Sequence, residues 1–147
     1  MGDMKRVIVS GFFNPLHGGH LDMIEAAAEL GDSLIVVVNN DVQQMLKKGK
    51  IILTEDNRAR LMRSLRNVDE VIISIDQDPT QIQTLGMIAD KYPDDELVFA
   101  NGGDRDSDEA IPETAVCAER GIELVFGMGE GKPDSSTRIN KATGMED

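Results

Sequence analysis

Short apolar runs alternate with longer amphipathic runs along this chain, and turn-forming residues separate them. The apolar runs predict strands, because a short continuous apolar run suits a strand buried on both faces. The amphipathic runs repeat their apolar positions at helical spacing. The predicted strands cover residues 6–10, 33–38, 70–75, 96–100 and 123–126. The predicted helices cover residues 21–30, 54–65, 78–92 and 111–121, and a long connection covers residues 39–53.

This strict alternation predicts an α/β fold with one Rossmann-like, doubly wound, five-stranded parallel sheet and helices on both faces. At 147 residues, the chain is expected to form a single domain, residues 1–147. No apolar run approaches the length needed to cross a bilayer, and the N-terminus lacks the apolar core of a signal peptide, so a cytoplasmic location is expected. The lone Cys117 excludes an internal disulfide, and we interpret it as a small core residue rather than a nucleophile.

The formal net charge of −12 argues against general nucleic-acid binding, which requires a basic surface. It also means that any phosphate site must be locally positive. Such a site would combine Lys, Arg and His side chains, helix N-termini and a divalent cation.

The stretch from Ser10 to His20 joins the first predicted strand to the first predicted helix. A helix N-terminus offers free backbone N–H groups and the positive end of the helix dipole, which suit a phosphate. His17 and His20 lie one helical turn apart and would point into the same volume. The alternative interpretation is a glycine-rich turn with two surface histidines.

The residues from Gly11 to His20, G-F-F-N-P-L-H-G-G-H, resemble the G-x-F-[DN]-P-x-H-x-G-H signature of the HxGH-motif nucleotidyltransferases. This cytidylyltransferase-like superfamily includes heptose-phosphate adenylyltransferases and glycerol-phosphate cytidylyltransferases. The resemblance implies that His17 and His20 are catalytic. It also implies nucleotide contacts from three residues that follow the first strand, Gly11, Phe12 and Phe13, and from His20. Asn14 would orient a phosphate of the acceptor or a histidine.

Two further basic positions are similar to those of the same families. The run Leu46-Lys47-Lys48-Gly49 resembles an L-K-G segment, which favours Lys48 as the lysine that reaches the phosphates, with the register uncertain by one residue. The alternative is a solvated basic loop. Arg58 resembles the arginine of an E-x-R segment and would hold an acceptor phosphate bidentately. The alternative for Arg58 is an ion pair with Glu55, and Arg63 and Arg66 are interpreted as surface residues.

Two glycine- or serine-rich segments follow later strands and complete the resemblance. Asn101-Gly102-Gly103-Asp104 resembles a K-G-G-D segment, which implies nucleotide binding by Gly102, Gly103 and Asp104; the alternative is a tight turn. Ser135-Ser136-Thr137 resembles a second signature that grips the β- and γ-phosphates; the alternative is simple capping of a short last helix. Asn101, Asp134 and Asn140 depart from the family's pattern.

The resemblance implies transfer of a nucleoside monophosphate from ATP or CTP to a small sugar or polyol phosphate, with release of pyrophosphate and with Mg²⁺ as cofactor. ATP is weakly favoured. Homodimers are frequent among relatives, whereas nucleic-acid and membrane partners are not expected. A zinc site is not expected, because His17 and His20 have no second His or Cys cluster to complete the ligand set. The alternative function is a non-catalytic nucleotide-binding or regulatory module. A dehydrogenase is set aside because no G-x-G-x-x-G follows the first strand.

Overall fold

A computed structural model describes residues 4–13, 18–100 and 112–125. These residues contain five strands, β1 (Lys5–Gly11), β2 (Ser33–Val38), β3 (Glu70–Ile73), β4 (Glu96–Ala100) and β5 (Glu123–Val125). The strands pair in parallel in the order β3-β2-β1-β4-β5. The predicted five-stranded parallel α/β fold is therefore confirmed.

The helices of the described residues are α1 (Gly18–Ala28), α2 (Asp41–Lys48), α3 (Glu55–Arg63), α4 (Ile82–Lys91) and α5 (Thr114–Arg120). Alternate side chains of the sheet enter two separate apolar clusters, one on each face. Helices α1 and α3 cover one face and helices α4 and α5 cover the other. None of the helices within the described part of the chain is long and apolar enough to cross a membrane.

The strand order changes direction between β1 and β4. From β1 the chain winds outward through β2 to β3, then crosses over to β4 on the other side of β1. In open parallel sheets, ligands bind beyond the carboxyl ends of the strands at this change of direction. Gly11 at the end of β1 lies in register with Val38 at the end of β2, so the segments that follow both strands meet at this edge.

Several predicted boundaries are confirmed. The bounds of β2 and β4 are those predicted, and Thr54 caps α3 by accepting a hydrogen bond from the Asn57 N–H at 3.3 Å. Gly121 ends α5 in the left-handed conformation.

Cys117 is a core residue, as predicted, with 1% of its surface exposed. Burial raises the pKa of its thiol to about 11, and the charge of Glu113 adds to the effect.

Three predicted helix starts were wrong, and the first is that of α1, which begins at Gly18 rather than at residue 21. Asp78 does not begin α4, because its carboxylate binds the N–H and hydroxyl of Thr80 in a turn before the helix. The helix begins at Ile82, and the buried Asp76 accepts hydrogen bonds from the Gln83 and Thr84 N–H groups instead. Helix α5 begins at Thr114 rather than at residue 111. The predicted strand end at Phe126 and the predicted last helix lie outside the described residues.

The connection predicted for residues 39–53 contains helix α2, which the pattern did not indicate. Its buried residues are Gln43 and Gln44, whereas Val42, Met45 and Leu46 are exposed. The helix is therefore docked by polar side chains. Its apolar residues point away from the core, so a search for a core-facing apolar stripe misses it.

Candidate functional site

The loop after β1 has a conformation that depends on Gly11 and Phe13. Phe13 has φ of 55°, in the left-handed region, and its ring is buried with 2% exposed. A Cβ atom added to Gly11 would lie 3.0 Å from Cζ of this ring. Gly11 thus leaves the space into which the Phe13 ring folds back beneath the end of the strand.

His20 lies in the first turn of α1 and contacts the ring of Phe13. The centroids of the two rings are 5.2 Å apart, and their planes are inclined by 72°, the edge-to-face arrangement that aromatic rings prefer. The first turn of α1 carries no acidic residue, so no carboxylate of that turn opposes an anionic ligand at the helix N-terminus. The imidazole that the motif singles out is therefore held by packing at the carboxyl edge of the sheet.

Helix α2 brings a lysine ammonium to the same loop. The ammonium of Lys47 lies 5.1 Å from the centroid of the Phe12 ring, a cation–π contact. Lys48, the lysine that the resemblance favoured, is half-buried in the same last turn. Both lysines also complement the negative end of the α2 dipole. The geometry thus links Lys47 to the loop after β1, while a contact between Lys48 and phosphate stays a prediction.

Arg58 is fully buried and its guanidinium binds four protein oxygens. Nε donates to the Leu53 carbonyl at 2.8 Å, Nη1 donates to the carbonyls of Phe12 at 3.2 Å and Asn39 at 2.5 Å, and Nη2 donates to Asp41 Oδ1 at 3.0 Å. Burial lowers the pKa of the guanidinium from its ordinary value, and the hydrogen bond and charge of Asp41 act in the opposite direction.

This arrangement differs from both interpretations made for Arg58 from the sequence. The ion pair is with Asp41 rather than Glu55, whose carboxylate instead accepts from the Asp41 N–H at 2.8 Å. The guanidinium has no exposed surface with which to hold an acceptor phosphate. The expectation of a direct phosphate contact therefore does not fit the described geometry, because the hydrogen-bond donors face protein oxygens. Arg63 and Arg66 are exposed, as predicted.

Buried amides hold α2 against the segment that follows β3 and the segment that precedes α3. The side chain of Asn40 caps α2 and donates to the carbonyls of Ser74 at 2.8 Å and Asp76 at 2.7 Å. The side chain of Gln44 donates to the Leu53 carbonyl and accepts from the Ile52 N–H. Sequence reasoning missed these residues and Asp41, because their partners are distant in the chain and no local pattern indicates them.

The remaining predicted site residues lie outside the described part of the structure. They are His17, Asn14, Gly102, Gly103, Asp104, Ser135, Ser136 and Thr137. Their assignments stay predictions. The residues that the structure does bring together at one edge are Gly11, Phe12, Phe13, His20 and Lys47.

Chemically, this edge offers an imidazole, an ammonium and the start of a helix. Such groups donate hydrogen bonds to phosphate oxygens and offset their charge. Cys117, on the opposite face of the sheet in the α5 cluster, is buried away from them. The arrangement suits binding and alignment of phosphate groups.

Comparison with known proteins agrees with this interpretation. The sequence model of the cytidylyltransferase-like family matches residues 8–142. An FAD synthase of Pyrococcus abyssi is 40% identical over 104 residues, which is 70% of this chain and 66% of the relative. The glycerol-3-phosphate cytidylyltransferase of Bacillus subtilis is 39% identical over 69 residues, which is 47% of this chain and 54% of the relative. The matched stretch thus spans slightly less than two thirds of the FAD synthase and about half of the cytidylyltransferase.

Among solved structures, the chain is similar to a lipopolysaccharide core biosynthesis protein from Thermoplasma volcanium. The TM-score is 0.59 at 24% identity, with 84% of this chain and 95% of the other covered. At this identity, the likeness shows the fold alone.

Proposed function

This chain belongs to the cytidylyltransferase-like family, and from that premise we propose that it transfers a nucleoside monophosphate from a nucleoside triphosphate to a small phosphorylated acceptor. The observation that carries the proposal is the contact between Phe13 and His20, which holds the motif imidazole at the start of α1 beyond the end of β1. Lys47 over the Phe12 ring adds a cation to the same edge.

In the proposed reaction, an oxygen of the acceptor's phosphate monoester attacks the α-phosphorus of the triphosphate. The bond from that phosphorus to the bridging oxygen breaks, and pyrophosphate leaves with its electron pair. The attacking group has a second pKa of about 6 and is already anionic near pH 7, so no enzyme base has to remove a proton. Catalysis then consists of alignment and of stabilising the charge that develops on the α-phosphoryl and leaving-group oxygens.

The chain's residues would divide this work by position. His20, with His17, donates hydrogen bonds to the reacting phosphate oxygens, while the N–H groups at the start of α1 bind phosphate. Lys47 or Lys48 offsets the charge of the triphosphate or the acceptor. Gly102, Gly103 and Asp104 would line the base and ribose pocket, and Ser135, Ser136 and Thr137 would grip the β- and γ-phosphates. Asn14 would orient the acceptor phosphate or a histidine.

Mg²⁺ is the expected cofactor, and when bound it would supply positive charge that offsets the charge of the phosphates. The described donors at this edge are the nitrogen groups of His20 and Lys47. Mg²⁺ prefers oxygen ligands, so these donors fit the phosphates rather than the ion. Phosphate oxygens of the nucleotide and water would therefore supply most of the ion's ligands.

We propose ATP as the preferred triphosphate. The similarity to the FAD synthase of Pyrococcus abyssi extends over 70% of this chain, against 47% for the cytidylyltransferase of Bacillus subtilis. FAD contains an adenosine group, so its synthesis from a flavin phosphate requires an adenylyl donor. Flavin mononucleotide and glycerol 3-phosphate therefore belong among the acceptors to be tested, beside sugar phosphates.

The test combines ATP or CTP with Mg²⁺ and each acceptor, and measures release of pyrophosphate. We expect release with at least one pair, and a loss of about 10²-fold or more in His20→Ala, the order of effect of removing a donor to developing charge. The matched control is Arg63→Met, which changes an exposed cation on α3. Nucleotide binding by calorimetry without release for any pair would favour the non-catalytic module and contradict the proposal.

A further inference from the structure

The guanidinium of Arg58 joins two loops that carry candidate site residues. Its Nη1 binds the carbonyl of Phe12, in the loop that leads to His20, and the carbonyl of Asn39, directly before α2 with Lys47. A backbone hydrogen bond also joins these loops, from the Asn39 N–H to the Gly11 carbonyl at 3.0 Å. Arg58 therefore fixes the distance between the two loops from beneath.

The same side chain also fixes the position of α2 on the sheet. Its Nη2 binds Asp41 in the first turn of α2, and Asp41 Oδ1 also accepts from the Glu55 N–H at 2.9 Å. Its Nε binds Leu53, whose carbonyl also accepts from the buried Gln44 of α2. Because α2 buries amides rather than apolar side chains, hydrogen bonds of this kind carry its docking. A planar guanidinium with five donors spans such separated acceptors, whereas a lysine ammonium does not.

We infer that Arg58 is a positioning residue for nucleotidyl transfer, acting by holding the His20 loop and the lysine-bearing helix α2 in one fixed arrangement. The inference rests on the proposed function. It requires no contact between Arg58 and a substrate. Alignment in the transition state is sensitive to displacements of about 1 Å, which cost on the order of 10²-fold in rate. Loss of the guanidinium and its hydrogen bonds should therefore lower kcat more than it weakens ground-state binding.

The experiment compares Arg58→Lys and Arg58→Met with wild type, and uses Arg63→Met on the same helix as the matched control. Pyrophosphate release gives kcat and the KM for each substrate, calorimetry gives the Kd of the triphosphate, and circular dichroism sets a temperature at which every variant is folded. We expect kcat to fall about 10- to 100-fold in Arg58→Met and less in Arg58→Lys, with KM and Kd within about threefold of wild type. The control should stay within about twofold.

Two outcomes on an active wild type would overturn the inference. Folded variants with wild-type kcat would make Arg58 a residue of stability only. A raised acceptor KM at unchanged kcat, restored by Arg58→Lys, would instead indicate direct contact with the acceptor phosphate.

Amide hydrogen exchange provides a readout that does not depend on turnover. We expect faster exchange in residues 11–13 and 39–48 of Arg58→Met, with unchanged exchange in α5. Unchanged exchange in both segments would contradict the inference even if no substrate pair is found. An inactive wild type, by contrast, counts against the proposed function alone.

Discussion

The ring of Phe13 meets the imidazole of His20 edge to face, with 5.2 Å between their centroids. Phe13 makes this contact from φ of 55°, a conformation that bulky L-residues rarely adopt and that costs about 1–3 kcal/mol. Burial of the ring offsets that cost, since only 2% of the residue is exposed. The loop after β1 thus keeps an unfavourable backbone conformation whose visible result is the placement of His20.

Replacing Phe13 with leucine tests this relationship. Leucine keeps most of the buried apolar area but removes the aromatic contact and leaves space beside the imidazole. We expect the free energy of unfolding to fall by about 1–2 kcal/mol and kcat to fall about tenfold. Urea denaturation and steady-state pyrophosphate release measure the two effects. A variant with reduced stability and wild-type kcat would show that His20 does not depend on this ring for its position.

Gly11→Ala probes the same loop from the strand side. The new methyl group would lie 3.0 Å from Cζ of Phe13 and 3.3 Å from its ε carbons, so the buried ring has to shift. We expect a loss of about 1–3 kcal/mol in the free energy of unfolding and a fall in kcat like that of the Phe13 variant. Gly86→Ala on α4 is the control, because no atom lies within 4 Å of its added Cβ. Equal stability of the two variants would argue against the described packing.

Lys47→Met, Lys48→Met and Lys50→Met separate the lysines around the end of α2. Lys47 lies against Phe12, so its removal should weaken triphosphate or acceptor binding by about tenfold, more at low ionic strength than at high. Lys50, exposed beyond the helix, should change binding by less than about twofold. Calorimetric titration at two salt concentrations checks this. A large effect of Lys48→Met alone would instead support Lys48 as the lysine that reaches the phosphates, as the family resemblance implies.

The buried thiol of Cys117 should make the free energy of unfolding depend on pH in alkaline solution. Burial raises its pKa to about 11, so between the unfolded pKa of about 8.5 and this value the native thiol keeps a proton that the unfolded thiol has lost. The native state then binds more protons, and the contribution of this group to stability is lost as the pH rises through that window. Urea denaturation from pH 8 to 11 should therefore show a shallower decline in Cys117→Ala than in wild type. Parallel declines would contradict the assignment.

Much of the fold followed from local patterns. Ser33–Val38 and Glu96–Ala100 each consist of one polar residue followed by a continuous apolar run, and their bounds were predicted to the residue. Helix α2 was not predicted because its buried residues are Gln43 and Gln44, which form no apolar stripe. The start of α4 was predicted wrongly because Asp76, which accepts hydrogen bonds from the N–H groups of its first turn, lies upstream of the Asp78 turn that resembles a helix start.

The candidate site likewise has a part that local sequence predicted and a part that it did not. The motif located His20 and the loop after β1, because a strand-to-helix junction is written in consecutive residues. A local motif could not identify these partners of Arg58, because Phe12, Asn39 and Asp41 precede it by 46, 19 and 17 residues. Hydrogen bonds of that separation depend on how the sheet brings its loops together.

Phosphorus NMR of one reaction mixture tests the central claim most directly. Wild-type protein is incubated with ATP, Mg²⁺ and the acceptor that supports pyrophosphate release, and the spectrum is followed to completion. The account predicts that the acceptor's monoester signal is replaced by a diphosphate diester in equal amount to pyrophosphate. Formation of nucleoside diphosphate and inorganic phosphate, with the monoester unchanged, would contradict nucleotidyl transfer at this site.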